Sequence, residues 1–195
     1  MTRRWFGLVT TLLLLHAPWQ EAQGRSTSIG VFFSPDASRC DSSPPIGTFF
    51  DVFILVVPGT DAGNAGISGA DFRVTGLDPG WLPTVTPSPQ AVTTLGDPLD
   101  VFGCDIGFAT CQSSGPILLY TIRCFMLPPL GARTLSVQHS NHEPHELYLA
   151  PLVWLCDAPA YTTMWVLGGQ AFINGGSCTV SLESRSWSSI KQVFR

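Results

Sequence analysis

Three histidines stand close together in this chain. His139, His142 and His145 recur every third residue within Gln-His-Ser-Asn-His-Glu-Pro-His-Glu. Neutral imidazoles are good ligands for zinc or copper, and Glu143 or Glu146 would add oxygen. Pro144, however, breaks the helix that would aim histidines at this spacing together. The cluster therefore reads first as a solvated polar loop and second as a metal site. Asp61, Asn64 and Asp71 flank a glycine-rich stretch and offer hard oxygens to calcium. No EF-hand pattern is present, so the first reading there is a turn held by side-chain to backbone bonds. No cofactor is expected.

Catalysis finds little to work with. No Gly-x-Ser-x-Gly elbow occurs, and all histidines after residue 24 lie in the one loop. Asp36, Asp78 and Asp97 adjoin proline or glycine and so sit in turns. A two-carboxylate hydrolase remains a minor alternative. Trp81, Trp154, Tyr161 and Trp165 could build an aromatic platform for sugar rings, although large aromatics more often fill the space between sheets. Trp154, inside the apolar run Val153-Trp154-Leu155, is expected in the core.

The ends of the chain frame these residues. Arg3 and Arg4 precede an apolar run that ends at Leu15, and Ala22-Gln23-Gly24 offers a small-residue exit. That is the layout of a signal peptide, residues 1–24. The run is too short for a stable span, so none is expected after cleavage. The chain is expected to be secreted, extracellular or periplasmic. Of 10 basic and 14 acidic residues, the signal removes Arg3, Arg4 and Glu21, leaving 8 against 13 and a net charge of −5. Nucleic acid is a poor partner for such a surface.

Six cysteines follow the signal: Cys40, Cys104, Cys111, Cys124, Cys156 and Cys178. An even number in an exported chain points to three disulfides, with connectivity open. The nearest pair, Cys104 and Cys111, is expected to close a local loop. Cys156–Cys178 and Cys40–Cys124 are the guesses that remain.

The elements that must carry all this are strands. Residues 49–57, Phe-Phe-Asp-Val-Phe-Ile-Leu-Val-Val, are apolar on both faces and read as a central strand. Residues 70–75 alternate, with Phe72 and Val74 inward and Asp71 and Arg73 outward. Residues 117–126 make a second strong strand. Further short strands are expected at 29–33, 101–108, 134–138, 151–156, 170–173 and 178–182. The proline-rich residues 83–89 cannot be a central strand. Many short strands between turn residues indicate one antiparallel, disulfide-stabilised β-sandwich over residues 25–183, all-β in class. Residues 184–195 differ. Trp187, Ile190 and Phe194 form a helical stripe, so a short C-terminal helix is expected, docked on the sandwich or on a partner.

Residues 50–89 also carry a resemblance. An apolar strand is followed by Gly66-Ile67-Ser68-Gly69-Ala70-Asp71-Phe72-Arg73-Val74 and then by the turn Asp78-Pro79-Gly80-Trp81-Leu82. This resembles cohesin-type and related carbohydrate-binding-like β-sandwich modules of secreted bacterial proteins, over about 40 of the 195 residues. The whole chain is also similar to uncharacterised exported bacterial proteins that share Cys156-Asp157 and Ala171-Phe172-Ile173-Asn174-Gly175. The resemblance implies a cohesin-like or Ig-like sandwich that binds a partner module through a sheet face. It carries over no contact residue. The expected function is therefore a non-catalytic module for protein docking or adhesion, with a cell-surface glycan as the alternative ligand.

Overall fold

A computed structural model describes residues 26–62, 65–128, 131–141, 150–157 and 162–176. These form a β-sandwich. The strands are β1 (Ser28–Phe32), β2 (Asp41–Ser42), β3 (Phe49–Val57), β4 (Ile67–Thr75), β5 (Thr84–Pro87), β6 (Ala91–Asp97) and β7 (Gly103–Gln112). They continue with β8 (Ile117–Phe125), β9 (Arg133–Gln138), β10 (Leu152–Leu155), β11 (Thr163–Trp165), β12 (Leu167–Gly168) and β13 (Gln170–Ile173). Among the described residues helical structure is limited to two 3-10 turns, Thr60–Ala62 and Pro79–Trp81.

One sheet has the order β12-β1-β3-β8-β5. In the other, β4 is central: β7 and then the edge strand β6 lie on one side of it, and β9 and β10 pair with successive parts of β4. The pairings are antiparallel except for two short parallel contacts, β1 with β12 and β13 with β2. The core follows from alternation. Val52, Ile54 and Val56 of β3 and Tyr120, Ile122 and Cys124 of β8 face Ala70, Phe72 and Val74 of β4 and Cys104 and Ile106 of β7, all buried. The Phe72 and Tyr120 rings meet edge-on at 6.1 Å.

The last described strands tie the two sheets together. β12 pairs with β1 in one sheet, and β13 pairs with β9 in the other. Gly168 and Gly169 make the switch. A Cβ on Gly168 would lie 2.1 Å from the Val137 carbonyl oxygen, and one on Gly169 would lie 2.9 Å from the Gly30 Cα. No side chain fits where the backbones pass so closely. At the opposite side of the sandwich, residues 88–90 cross from β5 to β6, leaving those two strands as edges.

Three expectations about cysteine are corrected. Cys111 is bonded to Cys156, with 6.0 Å between Cα atoms, and not to Cys104. The strand expected at 101–108 runs on to residue 112 without closing a local loop, so Cys104 and Cys111 stand near its two ends, on the order of 20 Å apart at the strand rise. Cys156 is therefore not available to Cys178. Cys104 and Cys124 are buried free thiols, so Cys40–Cys124 does not form either. They belong to opposite sheets. Tyr120 faces the Cys104 strand, and Cys124 lies four residues further along β8, about 13 Å away. Cys40 is disulfide-bonded, but not to Cys104 or Cys124.

Trp81 is also corrected. It is 1% exposed, packs edge-on against Phe50 at 5.8 Å, and its indole N–H donates to the Leu127 carbonyl at 3.2 Å. The turn before it is capped by Asp78, whose Oδ1 accepts from the Gly80 N–H. Trp81 is thus core and no part of a sugar platform. The signal peptide, the strand expected at 178–182, Cys178 and the short C-terminal helix with Trp187, Ile190 and Phe194 lie outside the described residues.

Candidate functional site

The outer face of the sheet containing β4 is built in cross-strand rows. One row runs Trp165, Leu152, Asp71, Asp105, Leu95 across β11, β10, β4, β7 and β6. A second, two residues along, runs Thr163, Trp154, Gly69, Gly107, Thr93. Between them lies the inward row Met164, Val153, Ala70, Ile106, Thr94, whose central three members are fully buried. Period-two alternation therefore puts the first two rows on the outside. Five strands at about 4.8 Å spacing make this face about 19 Å wide.

Its two borders are apolar and exposed. Trp165 is 52% exposed at one and Leu95 59% exposed at the other. Val92, Val101 and Phe102 extend the second border and are exposed too. The turn carrying Val101 and Phe102 is fixed. Asn141 donates from its side chain to the Val101 carbonyl at 2.8 Å and from its backbone to the Phe102 carbonyl at 2.7 Å. Strand β6 protrudes: Thr94 is exposed although its partner Ile106 is buried. Within the described residues β6 pairs with β7 alone, leaving its outer backbone edge open.

Trp154 departs from its expected place in the core. It lies on the outer face, half-buried, against the backbone of Gly69. A Cβ there would come within 2.3 Å of the ring's Cε3. Gly69 and Gly107 leave a floor bare of side chains beside the indole. Asp71 and Asp105 are direct cross-strand partners in the middle of the face. Like charges so placed destabilise a bare sheet. Asp71 Oδ1 is buried with no hydrogen-bond partner among the described residues. Both carboxylates stand side by side on one face, whereas a two-carboxylate hydrolase needs them on opposite sides of the scissile bond.

The other sequence candidates fall elsewhere. Asp61 and Asp71 are not brought together. Asp61 fastens the start of β1, accepting from the Thr27 backbone at 2.8 Å and from the Thr27 hydroxyl at 2.6 Å. The hydroxyl in turn accepts from the Gly59 N–H at 2.9 Å. Asn64 lies outside the described residues, as do His142, His145 and Tyr161. His139 is half-buried just after β9. Among the described residues no three metal-ligating side chains converge. Leu152, Leu95 and Asp105 are not singled out by the sequence, and Trp154 is expected in the core. For Leu152 and Trp154 the signal lies in the alternation about Val153 and in Gly69, two residues before Asp71.

The chain's sequence matches no protein-family model and no curated relative. Solved structures of cohesin modules do resemble it. One is the cohesin module from a Clostridium perfringens family 33 glycoside hydrolase, 10% identical, with a TM-score of 0.43 over 77% of this chain and 94% of that one. Another is a non-cellulosomal cohesin from Archaeoglobus fulgidus, 14% identical, with a TM-score of 0.41 over 77% and 92%. A type III cohesin module from a cell-surface anchoring scaffoldin of Ruminococcus flavefaciens is 11% identical, with a TM-score of 0.38 over 78% and 88%. Likeness at this level adds no site residue and no partner to those read from the geometry.

Proposed function

We propose that this chain is a secreted, non-catalytic binding module that docks a protein partner on the outer face of β11-β10-β4-β7-β6. The observation that carries the proposal is the five-strand row whose two ends, Trp165 and Leu95, are exposed apolar side chains. A face about 19 Å wide that carries exposed apolar side chains suits a protein surface better than a small solute, which is usually held in a concave pocket. Asp71 and Asp105 at its centre favour a partner that brings a lysine or arginine to them. The disulfides at Cys111, Cys156 and Cys40 support an extracellular setting.

The second reading, a glycan ligand, has one observation in its favour. An indole resting on a glycine backbone, beside a bare floor, offers a surface on which a sugar ring can stack. One experiment separates the two. The mature chain is immobilised and exposed to the cell-surface fraction of its source organism, treated beforehand with protease or with periodate. Protein docking predicts capture that protease abolishes and periodate spares, and that Trp165→Asp with Leu95→Asp removes. The opposite sensitivity would establish the glycan reading.

A further inference from the structure

A second apolar patch lies on the other sheet. Phe49 is 69% exposed and packs its ring against Phe125 at 4.9 Å, directly across from it on β8. The pairing of β5 with β8 matches Thr84 to Arg123, and the same register carried back two residues sets Leu82 opposite Phe125. Leu82 is 65% exposed and held at φ 47, a left-handed conformation that a leucine rarely adopts. Ile46, 54% exposed, adjoins the patch, because the neighbouring Gly47 N–H donates to the Met126 carbonyl. Leu82, Phe125 and Phe49 therefore form an apolar row three strands wide, about 9.6 Å at the strand spacing. The row behind it holds the Arg123–Asp51 ion pair.

The described chain stops at this same corner. Asn174 N–H donates to the Ser42 carbonyl at 3.0 Å, and four residues further along the chain from Ser42 is Ile46. Ile173 pairs with Arg133, whose guanidinium holds Asp78 at 2.7 Å, four residues before Leu82. Both ends of the patch are thus tied to the place where residue 176 hands over to the remaining 19 residues, 177–195. Within those, Trp187, Ile190 and Phe194 have the spacing of a helical stripe. From Trp187 to Phe194 such a stripe would run seven residues, about 10.5 Å, the length of the row. The 11 residues from 176 to 187 can span on the order of 36 Å when extended. Seven residues of chain separate Ser42 from Phe49, so the reach is sufficient.

We infer that the patch of Ile46, Phe49, Leu82 and Phe125 is the seat of this chain's own C-terminal segment, 184–195, through Trp187, Ile190 and Phe194. The occupant matches the patch in length, in apolar character and in its point of departure. The inference is independent of the docking face proposed above, which lies on the opposite sheet. The test is a thermal-melting cycle on the mature chain: wild type, a truncation lacking 184–195, Phe49→Ser, and both together. The truncation retains Cys178. The expected result is a melting temperature lowered by several degrees by truncation, a similar loss from Phe49→Ser, and little further loss when the two are combined. A truncation that changes nothing overturns the inference. So does a truncation effect that persists in full in the Phe49→Ser background, since the segment then docks elsewhere. Light scattering decides the remaining case: a dimer that truncation converts to monomer would place the segment on a second copy, against the inference.

Discussion

Cys104 and Cys124 make a sharp prediction about thiol chemistry. Both are free and fully buried, and burial pushes each thiol from an ordinary 9.0 up to about 12. At pH 8 a thiol of pKa 9.0 is about one-tenth thiolate, whereas one at 12 is about one ten-thousandth. Ionisation alone thus slows reaction about a thousand-fold, and the absence of any exposed sulfur slows it further. Titration with an aromatic disulfide reagent should find no reactive thiol in the native mature chain. Two per chain should appear after unfolding in guanidinium without reductant. The same shift fixes a pH dependence. Unfolded thiols lose their protons above about pH 9 while the buried ones keep theirs, so the unfolded state is favoured as pH rises. Stability from these groups is complete below that pH and falls between about 9 and 12, by up to about 1.4 kcal/mol per pH unit for each thiol. Finding no thiol in the unfolded, unreduced chain would refute the reasoning, because all six cysteines would then be bridged. Rapid labelling of the native state would refute it equally.

Three further outcomes follow from the packing. Phe72→Ala, at a side chain fully buried against Tyr120, should destabilise by about 3–5 kcal/mol in denaturant melts; a loss under about 1 kcal/mol would mean that β4 is misread. Asp61→Ala removes the acceptor for the Thr27 backbone and hydroxyl and should destabilise by about 1.5–3 kcal/mol, with hydrogen exchange rising first in β1. Gly69→Ala places a methyl against both the Trp154 ring and the Ile106 carbonyl, so it should destabilise by about 1–3 kcal/mol and alter near-ultraviolet circular dichroism. An unchanged spectrum would show that the indole does not rest there.

The long strands were legible because their patterns are strong. Residues 49–57 and 117–126 are too apolar and too rich in branched and aromatic side chains to be anything else, and 70–75 alternates without a break. β6 was not legible. Ala-Val-Thr-Thr-Leu-Gly-Asp carries a bulge at Val92 and is exposed on both faces, so no inward period marks it. Trp154 was misplaced because burial was inferred from the apolar run around it, whereas alternation about Val153 sends it outward onto Gly69. The Cys104–Cys111 expectation treated short separation as proximity, but an extended strand drives its two ends apart. The site rows depend on registers between strands distant in sequence, such as Asp71 with Asp105 and Leu152 with Trp165. No local pattern encodes those pairings.

The docking face is tested most directly by affinity for the captured partner. With the protease-sensitive partner isolated, its dissociation constant is measured for wild type, for Trp165→Ala with Leu95→Asp, for Asp71→Asn with Asp105→Asn, and for Phe49→Ser on the opposite sheet. The account predicts a loss of about a hundred-fold or more from the first pair, because the partner buries both exposed apolar side chains and Leu95→Asp would set an unpaired charge against it. It predicts a smaller, salt-dependent loss from the second pair and no change from Phe49→Ser. Wild-type affinity in both face variants, or a large loss from Phe49→Ser, would contradict it.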